Sequence, residues 1–279
     1  MEGAVMDCGG RPLDLTTPRV MGVLNVTPDS FSDGGEFFAP DRAVTHALEM
    51  VEEGAAIIDI GGESTRPGAA DVPVDEELRR VVPLLEALVP RLPVPVSVDT
   101  TKPEVMAAAA RAGAGLINDV MALRRPGALE AAARTGLPVC VMHMQGSPRT
   151  MQKDPRYDDV VEDVFRFLAE RVEACDGAGI ERSRLVVDPG FGFGKTEAHN
   201  ARLLRELHRF NDLGLPVLAG LSRKSFLGRV TGRPTGERVN ASIAAATLAA
   251  WNGARIVRAH DVRATVDALT LTAFVRERG

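Results

Sequence analysis

The chain has 279 residues, of which 45% are hydrophobic, 25% charged and only 4% aromatic, with a formal net charge of −5. That balance describes a globular protein without the basic field or stacking surface that nucleic acid requires, so an anionic ligand has to be held by a local cluster of cations. Cys8, Cys140 and Cys175 are odd in number and far apart, and no apolar run is long enough to span a membrane, so a reduced, cytoplasmic protein is expected.

In chain order, Val5 to Leu13 reads as a β-hairpin, because Gly9-Gly10 separates two short strands. Short β-branched runs then alternate with longer helical stretches. Strand Val20–Asn25 is followed by helix Asp41–Glu53, strand Ile57–Ile60 by helix Glu76–Val89, and strand Val96–Asp99 by helix Glu104–Ala112. Strands Leu116–Asp119 and Val139–His143 precede helix Val160–Ala174, and Leu185–Asp188 precedes Glu197–Asn211. Strand Val217–Gly220 leads to helix Arg238–Trp251, and Arg255–Arg258 to Val262–Val275. Glycine just ahead of most strands, as in Gly54-Ala55 and Gly113-Ala114, is the expected helix-to-strand turn.

Eight such units without a composition break predict a single (β/α)₈ TIM barrel over about residues 19–275, with the hairpin at about 4–15 capping its bottom. A doubly wound sheet would more often stop at five or six strands. The connections leaving the first, second, fifth, sixth and seventh strands are long and rich in Gly, Pro, Ser and Asp. In this fold the rim at the C-terminal strand ends carries the chemistry.

The strand ends are polar where a core does not need it: Asn25, Asp99, Asn118-Asp119, His143 and Asp188, then Arg258 with His260 two residues on. A single Asp or Asn there reads as a cap or turn residue. Asp119 keeps that reading, and Asp59 is expected to point outward from its strand. Several ends converging on one rim need another reason. Two carboxylates and an amide, Asp99, Asp188 and Asn118, suit the edge of a nitrogen heterocycle, because a carboxylate accepts paired N–H bonds from an amino-amidine.

A cationic group comprises Arg66, Arg223-Lys224-Ser225, Arg258 and His260, where phosphate sites of this fold often lie. Asn25 is a candidate Mg²⁺ ligand through its amide oxygen. His143 lacks a second ligand at zinc spacing and reads as a packed histidine. Gly190 to Gly194 spans three residues, not the four of a P-loop, so it is expected to be a bend presenting Phe193 to the pocket.

Several segments then resemble dihydropteroate synthases, a pterin-binding barrel family. Residues 25–35 (NVTPDSFSDGG) and 59–68 (DIGGESTRPG) are similar to that family's two mobile loops. Residues 97–100 (SVDT), 117–120 (INDV), 142–146 (MHMQG), 188–195 (DPGFGFGK), 222–225 (SRKS) and 258–261 (RAHD) follow in family order, from about residue 19 to 268. Two small departures are Ala259, where a larger apolar residue is usual, and Asn240, where a small one is.

The resemblance implies condensation of 6-hydroxymethyl-7,8-dihydropterin pyrophosphate with p-aminobenzoate, with Mg²⁺, in a homodimer that binds neither nucleic acid nor membrane. It implies a pterin site of Asp99, Asn118, Met142, Asp188, Phe193, Lys224 and Arg258. Asn25, Thr65, Arg66, Arg258 and His260 would hold the pyrophosphate, with Asn25 on the metal. Phe31, Pro67, Phe193, Lys224 and Ser225 would form the p-aminobenzoate site. Asp99, Lys224, Arg258, Asp33 and Arg66 would act in the chemistry. A corrinoid-linked methyltransferase of similar barrel needs no pyrophosphate site, which Arg66, Lys224 and the Arg258/His260 pair argue against. A non-catalytic pterin-binding paralogue is the other rival, and the intact loops with Phe31, Arg66 and Lys224 weigh against it.

Overall fold

A computed structural model describes residues 5–25, 40–64, 69, 71–147 and 150–278. Eight parallel strands, β3 (Arg19–Asn25), β4 (Ile57–Gly61), β5 (Val96–Asp99), β6 (Leu116–Asp119), β7 (Val139–Met142), β8 (Leu185–Asp188), β9 (Leu218–Gly220) and β10 (Ile256–Ala259), pair in the order β8-β7-β6-β5-β4-β3-β10-β9. The ends of this sheet meet at a parallel bridge between Val187 and Val217, where the Val187 N–H donates to Pro216 O at 3.0 Å. The sheet is therefore closed into the expected barrel.

Hairpin strands β1 (Val5–Asp7) and β2 (Pro12–Asp14) pair in antiparallel register, with Met6 opposite Leu13. Met6, Cys8, Leu13 and Leu15 bury against Met21, Ile57, Leu116, Cys140, Val186, Leu218 and Ile256. These seven strand residues form the apolar lower layer of the barrel interior, and the hairpin seals it. Side chains two positions on share the same face of a strand. Asp59, Asn118, Met142, Asp188 and Arg258 therefore form the next layer toward the open rim. The alternate strand residues, such as Ile58, Ile60, Val98 and Ile117, face the surrounding helices in the larger core. Strands buried on both faces read as continuous apolar runs, which is why their pattern is so plain.

The helices are α1 (Pro40–Glu52), α2 (Val74–Leu88), α3 (Pro103–Arg111), α4 (Ala128–Thr135), α5 (Val160–Gly177), α6 (Glu197–Arg205), α7 (Ser225–Thr231), α8 (Val239–Trp251) and α9 (Val262–Arg278). Local chemistry sets several starts. Asp159 caps α5 by accepting from the Val161 and Glu162 N–H groups, and Thr196 with His199 closes a capping box on α6. The stretch expected as one helix over Glu197–Asn211 splits, since Leu207–Leu213 is a 3₁₀ helix. Its buried residues Leu207, Phe210 and Leu213 recur every third position, a spacing that a three-residue turn stacks on one side. Among the described residues, no helix is long and apolar enough to cross a membrane.

Candidate active site

The centre of the rim is an ion-pair network that sequence reasoning only half found. Arg258 Nε donates to Asp59 Oδ2 at 2.6 Å and its Nη2 to Asp99 Oδ2 at 3.2 Å. Asn118 Nδ2 donates to the same Asp59 oxygen at 3.2 Å. Its bonds to Arg258 and Asn118 place the fully buried Asp59 on the barrel interior, correcting the expectation that it points outward. Asp99 and Asn118 are 7% and 4% exposed and stand side by side in register. Burial is the main influence on Asp99 and pushes its carboxyl up, Arg258 opposes this, and Asp59 and Asp119 add to it. Asp59 and Asp99 thus share one guanidinium at the centre of the barrel.

Asp119 behaves as the cap residue expected: its carboxylate accepts from the Met121 and Leu123 N–H groups at 2.7 and 2.8 Å. His143 is not part of its strand, which ends at Met142. The inward position therefore belongs to Met142. The His143 ring sits edge-on to Phe167 at 4.8 Å, and its Nδ1 lies 2.9 Å from Lys195 Nζ. Burial, followed by Lys195, pushes the imidazole down to about 2, so it stays neutral and accepts from the lysine.

Asp188 ends β8 and is 6% exposed. Its Oδ1 accepts from the Gly190 N–H at 2.7 Å, which orients the carboxylate, while burial pushes its pKa up to about 6. Gly190 has φ +71°, and a Cβ there would lie 1.9 Å from His143 O, so only glycine allows this bend. Lys195, 1% exposed, pins the bend by donating to Gly190 O and Phe193 O at 2.9 and 3.0 Å. Tyr157 Oη adds a bond to Gly194 O at 2.7 Å.

The bend presents Phe193 beside Met142, Val120, Met144 and Met151, an apolar wall separate from the main core. Lys224 Nζ stands 4.1 Å from the centroid of the Phe193 ring. Burial lowers the Lys224 ammonium to about 8, and Asp188 opposes that. Lys195 was missed as an anchor. Its signal was the lysine itself, at the end of a glycine bend with no phosphate pattern to explain it.

The anion-facing residues divide. Asn25 is half-buried at the end of β3, in register with Gly61. His260 follows β10, with Nδ1 3.0 Å from Ser222 Oγ. Ser225 is exposed at the start of α7, directly after Lys224. Arg223 leaves the proposed cationic group: its Nε and Nη2 donate to Asp261 at 3.1 and 2.5 Å, which fixes the turn after β9. Phe31, Asp33, Thr65, Arg66 and Pro67 lie outside the described residues.

The arrangement offers acceptors for a flat, N–H-rich edge at Asp188 and Asn118. Beside them stand an apolar wall at Met142 and Phe193 and two cations at Lys224 and Arg258. Among the described residues, no group of three or more His, Cys, Asp or Glu side chains could hold a metal ion.

Comparison with known proteins places this geometry in context. The profile of the family described as pterin binding enzyme matches residues 21–260. Dihydropteroate synthase of Escherichia coli (strain K12) is 55% identical over 260 residues, covering 93% of this chain and 92% of that protein. The structure of Xanthomonas albilineans dihydropteroate synthase with 4-aminobenzoic acid superposes with a TM-score of 0.93 at 57% identity, covering 98% of each chain. The same enzyme in complex with 7,8-dihydropteroate superposes at 0.90 with 55% identity, also over 98% of each chain.

Proposed function

Since this chain belongs to the pterin-binding enzyme family, as a dihydropteroate synthase of folate biosynthesis, we propose that its barrel rim carries out the condensation as follows. The enzyme joins 6-hydroxymethyl-7,8-dihydropterin pyrophosphate to p-aminobenzoate and releases 7,8-dihydropteroate and pyrophosphate. The observation that carries the site assignment is the buried convergence of Asp99, Asn118 and Asp188 with Arg258 and Lys224 at the strand ends.

Asp188 accepts the paired N–H bonds of the pterin's amino-amidine edge, with Asn118 beside it and Lys224 toward the ring carbonyl. Met142 and Phe193 exclude water from the ring. Arg258 lies across its face, its plane set by Asp59 and Asp99. The C–O bond to pyrophosphate breaks first, and its electron pair leaves on the departing oxygen. Arg258, His260, Thr65 and Arg66 meet that charge. Positive charge spreads over the pterin, and Asp99 stabilises it. The p-aminobenzoate nitrogen, seated among Phe31, Pro67, Phe193, Lys224 and Ser225 with help from Asp33, forms the C–N bond. Its proton passes to pyrophosphate or water. An arylamine is already a nucleophile, so no activating base is needed.

Mg²⁺ fits this site only in a particular way. Among the described residues no acidic cluster accompanies the single neutral oxygen of Asn25, which would suit an ion that takes most of its ligands from water and the pyrophosphate. When bound it neutralises pyrophosphate charge. Chelation is therefore expected to abolish product formation, and Asn25→Ala to raise the Mg²⁺ concentration for half-maximal rate about tenfold, one lost ligand being worth roughly 1.4 kcal/mol. An unchanged Mg²⁺ requirement in the variant would remove Asn25 from the metal.

A homodimer is supported by the face on which Leu248 and Trp251 of α8 and Leu271 and Val275 of α9 are 51%, 51%, 64% and 47% exposed. Trp251→Glu is expected to sediment as a monomer at micromolar concentration; an unchanged species would place the contact elsewhere. A cytoplasmic location is supported by three free, buried cysteines.

The direct test of function mixes purified protein with the dihydropterin pyrophosphate, p-aminobenzoate and Mg²⁺. Dihydropteroate and one equivalent of pyrophosphate are expected. Tight pterin binding without product would instead mark a non-catalytic pterin-binding protein.

A further inference from the structure

Lys195 is a buried charge that the chemistry above does not use. It closes the glycine bend after β8 and is 1% exposed, which leaves it no surface for a ligand. An ammonium has three N–H donors, and three acceptors stand around this one. His143 Nδ1 and Gly190 O lie at 2.9 Å and Phe193 O at 3.0 Å. One acceptor comes from the chain after β7 and two from the bend itself, so a single group ties the two together.

Both carbonyls belong to residues that place a group in the site. The Gly190 N–H donates to Asp188 Oδ1 at 2.7 Å, so a hold on Gly190 is a hold on that carboxylate. Phe193 carries the ring that packs with Met142 in the apolar wall. Other parts of the bend have their own supports. Asn200 Oδ1 accepts from the Gly192 N–H, and Tyr157 Oη donates to Gly194 O, both at 2.7 Å.

Stability does not explain a lysine here. Burial pushes its ammonium down to about 7, a cost that an apolar side chain would not carry. Its charge also reaches Asp188. Burial raises that carboxyl, and the Gly190 N–H, then Lys224, Lys195 and Arg258, hold it down. Arg258 is shared with Asp59 and Asp99, whereas on the β7 side burial keeps the Cys140 thiol protonated and the His143 ring neutral.

We infer that Lys195 is a positioning residue of the pterin site, which gathers Gly190, Phe193 and His143 on one ammonium and so sets the Asp188 carboxylate and the Phe193 ring for the pterin. This rests on the proposed pterin roles of Asp188 and Phe193.

Lys195→Met keeps the length of the side chain and removes its charge and its donors. Pterin affinity, followed by calorimetry from pH 5 to 8, is expected to be about tenfold or more below wild type at pH 7, the scale on which small misplacements act. Its acid midpoint should lie at least about half a unit higher, because an opposite charge that favoured the carboxylate is gone. Tyr157→Phe is the contrast: it frees Gly194 O but leaves the charge, so its midpoint should match wild type.

Unchanged affinity in a folded Lys195→Met protein would overturn the inference. Weaker binding with an unmoved midpoint, or an equal move in Tyr157→Phe, would overturn it too, by reducing Lys195 to a general support of the fold. Should Lys195→Met not fold, Lys195→Gln, which keeps an N–H donor but not the charge, carries the same readouts. A wild type that binds no pterin would instead defeat the site reading itself, a failure visible without any variant.

Discussion

Asp188→Ala is expected to abolish measurable pterin binding while the barrel remains folded. In the proposed binding mode the carboxylate accepts from the pterin edge; it is buried and oriented by the Gly190 N–H. Charge-assisted bonds are worth about 1.5–3 kcal/mol each. Losing a pair of them costs roughly 3 kcal/mol or more, at least about a hundredfold in affinity. The variant leaves the Gly190 N–H without its acceptor and Lys224 and Lys195 without a charge partner, so its melting temperature is measured beside its affinity. Calorimetric titration with a pterin checks this, and unchanged affinity would remove Asp188 from the site.

The same group gives a pH dependence with a definite sign. Burial raises its pKa to about 6, so it accepts N–H bonds as a carboxylate above that value and loses this capacity below it. Pterin affinity is expected to fall about tenfold from pH 7 to pH 5, following the ionised fraction. A flat profile over that range would contradict the assignment.

Arg258→Ala is the second large effect. In the proposed mechanism the guanidinium serves the departing pyrophosphate and the pterin face, and removal of a comparable charge-stabilising donor costs about 10²–10³ in kcat. It also leaves Asp59, fully buried, and Asp99 without their cation. Breaking a buried pair costs about 3–5 kcal/mol, so the melting temperature should drop by several degrees, at about 2–4 °C per kcal/mol. Arg258→Lys restores the charge but not the fork that spans both carboxylates. Its kcat is expected to remain at least about tenfold below wild type, the value of one well-placed charged bond. Near-normal turnover in the lysine variant would mean that point charge alone suffices.

Much of the fold was legible because its strands are buried on both sides and helices such as α1 and α2 are amphipathic, two patterns that local sequence carries. Asp59 shows the limit. In Ile57-Ile58-Asp59-Ile60 both faces are apolar, so periodicity cannot say which one meets the helices. The answer comes from Arg258, whose partner lies 199 residues away in the chain.

Arg223 failed for the complementary reason: its motif neighbours suggested an anion site, but Asp261, 38 residues on, takes the guanidinium. His143 was one residue past its strand, and that single step turned it from the pocket to Phe167. Helix α4 has only 8 residues, and its buried face is built from Ala128, Ala131 and Ala132 rather than from large apolar side chains. Asp99, Asn118, Met142, Asp188 and Arg258 could be singled out because each stands at or next to a strand end, where this fold puts its chemistry.

The central claim is that this rim drives departure of pyrophosphate before the amine attacks, using charge rather than a base. Positional isotope exchange tests it most directly. Substrate carrying ¹⁸O in the bridge between the methylene carbon and phosphorus is incubated with enzyme, Mg²⁺ and benzoate, which fills the second site but cannot attack. Departure and return of pyrophosphate are expected to move the label from the bridge into non-bridging positions of recovered substrate. Label that stays in the bridge, in a preparation that makes dihydropteroate at full rate once p-aminobenzoate is supplied, would contradict the account.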